Sequence, residues 1–324
     1  MTEKLARMCW QQYSVVPLLL SRGYRGNDEA EMLRQKLIDI PAVIGIGPDR
    51  ELTARQLLAG NPHVGVVLVD DGLQHLRLAR DLEICMVNAL QPFGNGRLIP
   101  RGPLREAPER ALPRCDLVVL HNASLPSVRP EARAALAARL REMAGHRSPD
   151  ILHSSVSPSA LWPVSGGRPA GGSDDSSWRA IVGSHVICLT GIGCPEALED
   201  LLRGVGAAEV EGASVLNDHE ELTPEAVSHA RRRFRAVSSE GRRAVVLLTE
   251  KDFARHKHSK LRAALDGLPA YVLEVRLEVE EEHVLRWHVG RMLGAQPTNP
   301  GGLSGLPCEI GRRCDSTAGE GRGA

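Results

Sequence analysis

The chain has 324 residues, with 40 lysines plus arginines balanced by 40 aspartates plus glutamates, so no net field draws it to nucleic acid or to an acidic partner. Hydrophobic residues make up 42%, an ordinary share for a soluble globular protein, and aromatics only 3%, too few for a base-stacking surface. The seven cysteines form no paired spacing of the zinc or redox kind, which fits a reducing compartment.

Length alone allows two domains of ordinary size. Residues 2–12 predict a helix with Leu5, Met8, Cys9 and Gln12 on one face. A strand over 14–20 follows, then the turn-rich 21–29, a helix over 30–37, a strand over 42–46 and a helix over 49–60. The run 64-VGVVLV-69 is apolar and β-branched, the pattern of a strand covered on both faces. Further strands are expected at 83–89 and 116–123, and a helix at 130–145. Strands alternating with helices indicate an α/β fold with right-handed crossovers. From 151 to 180 serine, proline and glycine accumulate, which reads as a linker or flexible loop. A second α/β unit is expected over 181–293, with strands at 185, 244 and 270 and a helix at 224–237. Residues 294–324 lack periodicity and predict a disordered tail. No segment reaches the about eighteen apolar residues of a membrane span, and no cleavable signal or transit peptide precedes 15-VVPLLL-20.

Two stretches suggest chemistry. Asp70 and Asp71 stand at the exit of the 64–69 strand, followed by Gly72, Gln74 and His75. A polar turn would explain one Asp-Gly pair, but a doubled acid at a strand's C-terminal mouth suits a ligand site in an α/β sheet. The segment 92-PFGNGRLIPRGPLRE-106 offers glycines for close backbone approach and Arg97, Arg101 and Arg105 for anion contact. It is long for an idle connection between strands. Basic side chains beside an acidic strand end imply a phosphorylated ligand with a divalent cation. Other features are weaker. In 191-GIGCP-195 a proline in a helix's first turn accounts for the glycines, and 249-TEKD-252 reads either as a helix start or as a polar site feature. Thr223, Pro224 and Glu225 predict a helix N-terminus, with Asp218 and His219 in the loop before it.

The motifs DDGLQH, FGNGRLIPRGPLRE, LTGIG, NDHEELTPE and LLTEKD, in this order, resemble the tetraacyldisaccharide 4′-kinase family, the lipid A 4′-kinases. The resemblance covers roughly residues 14–285. It implies transfer of the ATP γ-phosphate to the 4′-hydroxyl of an acylated disaccharide 1-phosphate with Mg²⁺, by two α/β/α domains with mostly parallel sheets, joined by a linker around a cleft. On this basis residues 1–150 would be an incomplete P-loop-kinase-like domain. Matched residue by residue, Asp70 and Asp71 would position the metal, with Asp71 also catalytic. Asp28 would be the base supported by His219. Glu29, Arg105 and Glu106 would serve the cofactor, and Arg22, Tyr24, Asn95 and Arg101 the substrate. A carboxylate base is needed because a sugar hydroxyl does not ionise in water, and the transferring phosphoryl needs positive charge around it.

The sequence also departs from that family. No segment reads G-x-x-x-x-G-K-[ST], and residues 1–12 resemble the helix that follows such a loop, so the P-loop and its strand are expected to be missing. Without the backbone cradle and its lysine, ATP is expected to bind poorly. Asn27 stands where glycine is expected, Ala107 where proline is, and Glu220 where a second histidine is. Two rivals remain: a catalytically dead relative that binds acyl-sugar phosphate or a protein partner, and a phosphohydrolase using Asp70 and Asp71. The second lacks a convincing two-metal ligand set. A monomer without nucleic-acid partners is expected, in peripheral contact with a membrane when full length. The resemblance implies a mitochondrial location in a eukaryote and the cytoplasmic face of the inner membrane in a bacterium.

Overall fold

The computed structural model describes residues 1–23, 28–166, 175–212, 222–255, 261 and 263–295. In chain order the elements are α1 (Thr2–Tyr13), β1 (Val16–Ser21), α2 (Asp28–Lys36), β2 (Val43–Ile46), α3 (Arg50–Gly60), β3 (Val64–Val69), β4 (Ile84–Asn88), α4 (Pro108–Ala111), β5 (Leu117–His121), α5 (Pro130–Ala144) and β6 (Asp150–Pro163). They continue with α6 (Asp175–Trp178), β7 (His185–Cys188), α7 (Pro195–Val205), β8 (Glu209–Glu211), α8 (Pro224–Ser239), β9 (Ala244–Thr249), α9 (Glu250–Arg255), β10 (Ala270–Val279) and α10 (Glu282–Met292).

The strands form two sheets. The first has three strands in the order β2-β1-β3, all parallel. The second has seven in the order β4-β5-β6-β10-β9-β7-β8, parallel throughout except for the antiparallel pair β6–β10. The α/β class and the predominance of parallel pairing follow the sequence pattern. The partition of strands does not: β4 and β5 join the seven-stranded sheet through β6 and do not pair with β1–β3.

The cause is β6. Asp150–Pro163, all but the first residue of which composition assigns to a linker, is a fourteen-residue strand. Its first residues run parallel to β5, from Leu117 opposite Asp150 to His121 opposite Ser154. Its remainder runs antiparallel to β10, from Ser154 opposite Val279 to Pro163 opposite Tyr271. One strand therefore belongs to both halves of the sheet.

Each sheet is packed by the period-two rule. In β1, Leu19 faces a cluster with Ala6 of α1 and Leu33 and Leu37 around α2, while Leu18 and Leu20 face Ala54 of α3. All three leucines are at most 1% exposed, so truncating any one to alanine costs about 2–5 kcal/mol. Helices α1 and α10 span both sheets on one face, with Met8, Cys9, Leu285 and Val289 against Val66, Leu117, Val119 and Leu152. The expectation that β3 is covered on both faces fails for part of its length. Gly65 and Val67 are exposed, Val67 by 38%, because β3 is an edge strand whose free side borders a cavity.

Candidate active site

The three parallel strands of the first sheet end at one mouth, the edge where α/β sheets bind ligands. Arg22 follows β1. After β2, the turn Gly47-Pro48-Asp49 starts α3, with the Asp49 carboxylate accepting the Leu52 N–H at 3.0 Å, and Arg50 is the first helical residue. After β3, the Asp70 N–H donates to the Leu20 carbonyl (2.9 Å), holding the strand end in register. The Asp70 carboxylate accepts the Thr2 hydroxyl at 2.8 Å, which ties the first turn of α1 to the mouth.

Asp71 adopts a left-handed backbone conformation (φ 48°), tolerated by Asp and frequent at functional turns. Its side chain is 59% exposed and accepts from Arg105 Nη1 at 2.7 Å. An exposed pair of this kind contributes only about 0–1 kcal/mol, so an incoming cation can displace the guanidinium at small cost. Asp70 and Asp71 present hard oxygen donors of the kind Mg²⁺ takes.

Glu106 has a partner that sequence reasoning missed. Arg114 Nη2 and Nη1 donate to the two Glu106 oxygens at 2.6 and 3.1 Å, and Gln74 Nε2 donates to Glu106 at 3.0 Å. Arg114 also donates to the Leu73 carbonyl at 3.3 Å and to the Arg110 carbonyl at 2.6 Å. This arginine pins the DDGLQH turn to the end of the long loop and holds the Glu106 carboxyl below its ordinary range. No local pattern announces it, because Arg114 follows the loop as one more surface-type residue.

The long loop is ordered by its own amide. Asn95 Oδ1 accepts the Arg97 N–H (3.0 Å) and its Nδ2 donates to the Arg101 carbonyl (2.9 Å). A Cβ at Gly102 would lie 2.2 Å from Asn95 Oδ1 and from the Arg97 carbonyl oxygen, so this turn requires glycine. Arg101 is exposed on the same loop. Arg22 is exposed as well. Arg50 is different: it is only 6% exposed, and burial lowers its guanidinium from its ordinary value against the opposing charge of Asp71.

Tyr24 and His219 lie outside the described residues. Asp28 and Glu29 open α2, but their side chains are outside the described set. In the second half, TEKD is a helix start: Asp252 accepts the Thr249 hydroxyl at 2.6 Å and the Gly191 N–H at 3.1 Å, fastening the GIG turn. Pro195 sits in the first turn of α7, and Thr223 caps α8 by accepting the Ala226 N–H, as the sequence predicts.

Between β3 and β4 lies a cavity of about 1230 Å³, lined by residues of both strands, by Met1 and by Thr2, Leu5 and Cys9 of α1. Asp70 and Asp71 are among its lining residues, as are Asp81, Glu83 and Glu106. Among the described residues no helix is long and apolar enough to cross a membrane.

Comparison with known proteins places the fold and the motifs together. Residues 1–292 match the tetraacyldisaccharide-1-P 4′-kinase family. A probable mitochondrial tetraacyldisaccharide 4′-kinase of Arabidopsis thaliana is 30% identical over 290 residues, covering 82% of this chain and 70% of that protein. The tetraacyldisaccharide 4′-kinase of Chromobacterium violaceum is 36% identical over 220 residues, 64% of this chain and 58% of the relative. The crystal structure of LpxK from Aquifex aeolicus in complex with ATP shares the fold, with a TM-score of 0.53 over 90% of this chain and 84% of that one at 18% identity. The chain spans 70% and 58% of the lengths of the two curated relatives. With nearly all of its described residues inside the family match, this chain belongs to the tetraacyldisaccharide-1-P 4′-kinase family.

Proposed function

We propose that this chain is built for ATP-dependent phosphoryl transfer to the 4′-hydroxyl of tetraacyldisaccharide 1-phosphate. The observation that carries the reading is the Asp70–Asp71 pair at the C-terminal mouth of a parallel sheet, with Arg105 on Asp71, in a member of this kinase family. Asp70 and Asp71 would hold Mg²⁺, which when bound draws charge from the transferring phosphoryl. Arg105, released from Asp71, would then face the phosphates. Asp28 would accept the hydroxyl proton and His219 would support it, roles that rest on the motif match alone. The acylated substrate implies work at a membrane surface, in mitochondria for a eukaryotic source and at the inner membrane for a bacterial one.

The triphosphate cradle, on this proposal, is not supplied by these 324 residues. None of them reads G-x-x-x-x-G-K-[ST]. The cavity between β3 and β4 is lined by both strands, by Asp70 and by the first turn of α1, where Thr2 donates to Asp70. The same gap favours the second reading, a relative that binds acyl-sugar phosphate without turnover.

The test is formation of 4′-phosphorylated product from radiolabelled ATP. We expect the 324-residue chain to turn over far below the about 1–100 s⁻¹ usual for kinases. The same chain extended upstream by a strand and a glycine-lysine loop should recover it, and Asp71→Asn should abolish the recovery. Ordinary turnover by the unextended chain would overturn the missing cradle. An extended, folded chain that binds the lipid yet makes no product would overturn the kinase reading.

A further inference from the structure

The seven cysteines show no paired spacing in the sequence, and those among the described residues are free thiols. The fold nonetheless brings two of them together. Cys85 lies on β4, on the same face as Val87 by the period of two, and packs against a cluster that includes Cys115, Val118 and Leu120. Cys115 ends the tight turn that leads from α4 into β5 and is 2% exposed. The chain is tied on both sides of the pair. The Asp116 and Leu117 N–H groups donate to the Glu83 carbonyl at 2.9 and 3.2 Å, and the Glu83 N–H donates to the Asp116 carboxylate at 2.8 Å. The residue after Cys115 is thus fixed against the residue two before Cys85.

The two sulfurs differ in their surroundings. The Cys115 S–H has the Ala111 carbonyl as one acceptor, at 3.4 Å, and the Cys85 sulfur as another. This second hydrogen bond holds the Cys85 thiol below its ordinary value, against burial and the nearby Glu83 and Glu106, and holds the Cys115 thiol above it. Cys85 also lines the cavity, beside Phe93 and Ala111. One thiol is therefore open to a small molecule and is the better source of thiolate, the reacting form, while its buried neighbour stands in contact with it.

We infer that Cys85 and Cys115 form a modification site, a thiol pair that a peroxide closes to a disulfide and a reductant reopens. The Cys85 thiolate attacks one peroxide oxygen: the S–O bond forms, the O–O bond breaks, and hydroxide leaves to take up the proton Cys85 had released. The Cys115 sulfur then attacks the sulfur of the Cys85 sulfenic acid. The S–S bond forms, the S–O bond breaks, and the departing hydroxide takes the Cys115 proton as water. Two thiols have given up two electrons, and the peroxide has become two waters. The whole 92–106 loop lies between the two cysteines, and Arg114, which pins Glu106, is next to Cys115. Oxidation therefore closes a covalent ring around that loop and braces it. The chemistry needs only these sulfurs and an oxidant, and is independent of phosphoryl transfer.

The experiment treats the 324-residue chain with micromolar hydrogen peroxide, blocks the remaining thiols with iodoacetamide and maps tryptic peptides by mass spectrometry without reduction. Cleavage at Arg80, Arg97 and Arg114 puts the two cysteines on separate peptides. We expect the 81–97 peptide joined to the one that begins at Cys115, lost on adding a phosphine reductant and reduced to one pairing among many in a chain oxidised in urea. Cys115→Ser should leave Cys85 as a sulfenic acid trapped by dimedone, and Cys85→Ser should leave Cys115 unoxidised. Oxidation of the unaltered chain should slow proteolytic cleavage within 92–106, and the phosphine should restore it. Both cysteines alkylated after peroxide, or pairing no more selective in native buffer than in urea, would overturn the site, as would a sulfenic acid formed first on Cys115. A linked peptide with unchanged cleavage of 92–106 would overturn the brace. The peptide map of the unaltered chain decides the pairing even where a serine variant fails to fold.

Discussion

Replacing Glu106 with alanine tests the claim that the PLRE glutamate works as a clamp. The replacement removes two bonds from Arg114, at 2.6 and 3.1 Å, and one from Gln74 at 3.0 Å. A hydrogen bond to a charged group contributes about 1.5–3 kcal/mol when buried, and an exposed ion pair about 0–1 kcal/mol. With the Arg114 and Glu106 side chains 31% and 21% exposed, the clamp falls between, at about 1–1.5 kcal/mol. At about 2.1 cal/mol/K per residue over 324 residues, that is a fall of roughly 2 °C in melting midpoint. A double-mutant cycle with Arg114→Met, read by urea unfolding at neutral pH, should give a coupling of about 1–2 kcal/mol. The sign with pH is fixed. Arg114 holds the Glu106 carboxyl below its ordinary value near 4.5, so the clamp is fully present above that value and is lost as pH falls through the lower folded one. A coupling below about 0.5 kcal/mol at neutral pH, or one that survives at strongly acid pH, would refute the reasoning.

Two further outcomes follow from the same geometry. Burial pushes the Glu250 carboxyl up to about 7 despite Lys36 Nζ at 2.7 Å, so its contribution is present below about 4.5 and fades as pH rises through 7; Glu250→Gln should flatten a decline of about 1–3 kcal/mol between mildly acid and mildly alkaline pH, and an unchanged slope in urea titrations would contradict this. Gly94→Ala places a Cβ 2.4 Å from Pro103 Cγ at a φ of +54°, so it should cost about 1–3 kcal/mol and expose the 92–106 loop to limited proteolysis, whereas an unaltered digestion pattern would show the loop to be less constrained than it looks.

What could be read from the sequence depended on whether the signal was local. The run Val64–Val69, the helix start at Thr223 and the turn before Pro195 carry their pattern within a few residues and were placed correctly. The doubled acid was legible because Asp70 and Asp71 contradict the apolar strand they end. Arg114 and Arg50 were not. One is defined by a carboxylate eight residues away and the other by burial of a guanidinium whose Nε has no hydrogen-bond partner among the described residues, and neither property has a local signature. The strand β6 was hidden for another reason. Its serines and prolines alternate with Ile151, Val156, Leu161 and Trp162 too irregularly to show a period of two, and its partners β5 and β10 lie on either side of it in the chain.

That disguise bears on how the protein is made. As the chain leaves the ribosome, β6 can pair with β5 at once, but the edge that belongs to β10 stays bare until Val279 has been synthesised, opposite Ser154. At about 5–20 residues per second the wait is on the order of ten seconds. An uncovered strand edge is a template for pairing with another nascent chain. Ser155, Ser157, Pro158 and Ser159 make this edge a poor template, since proline donates no bond and serine adds little hydrophobic drive. The composition that makes β6 look like a linker thus keeps it available for its proper partner.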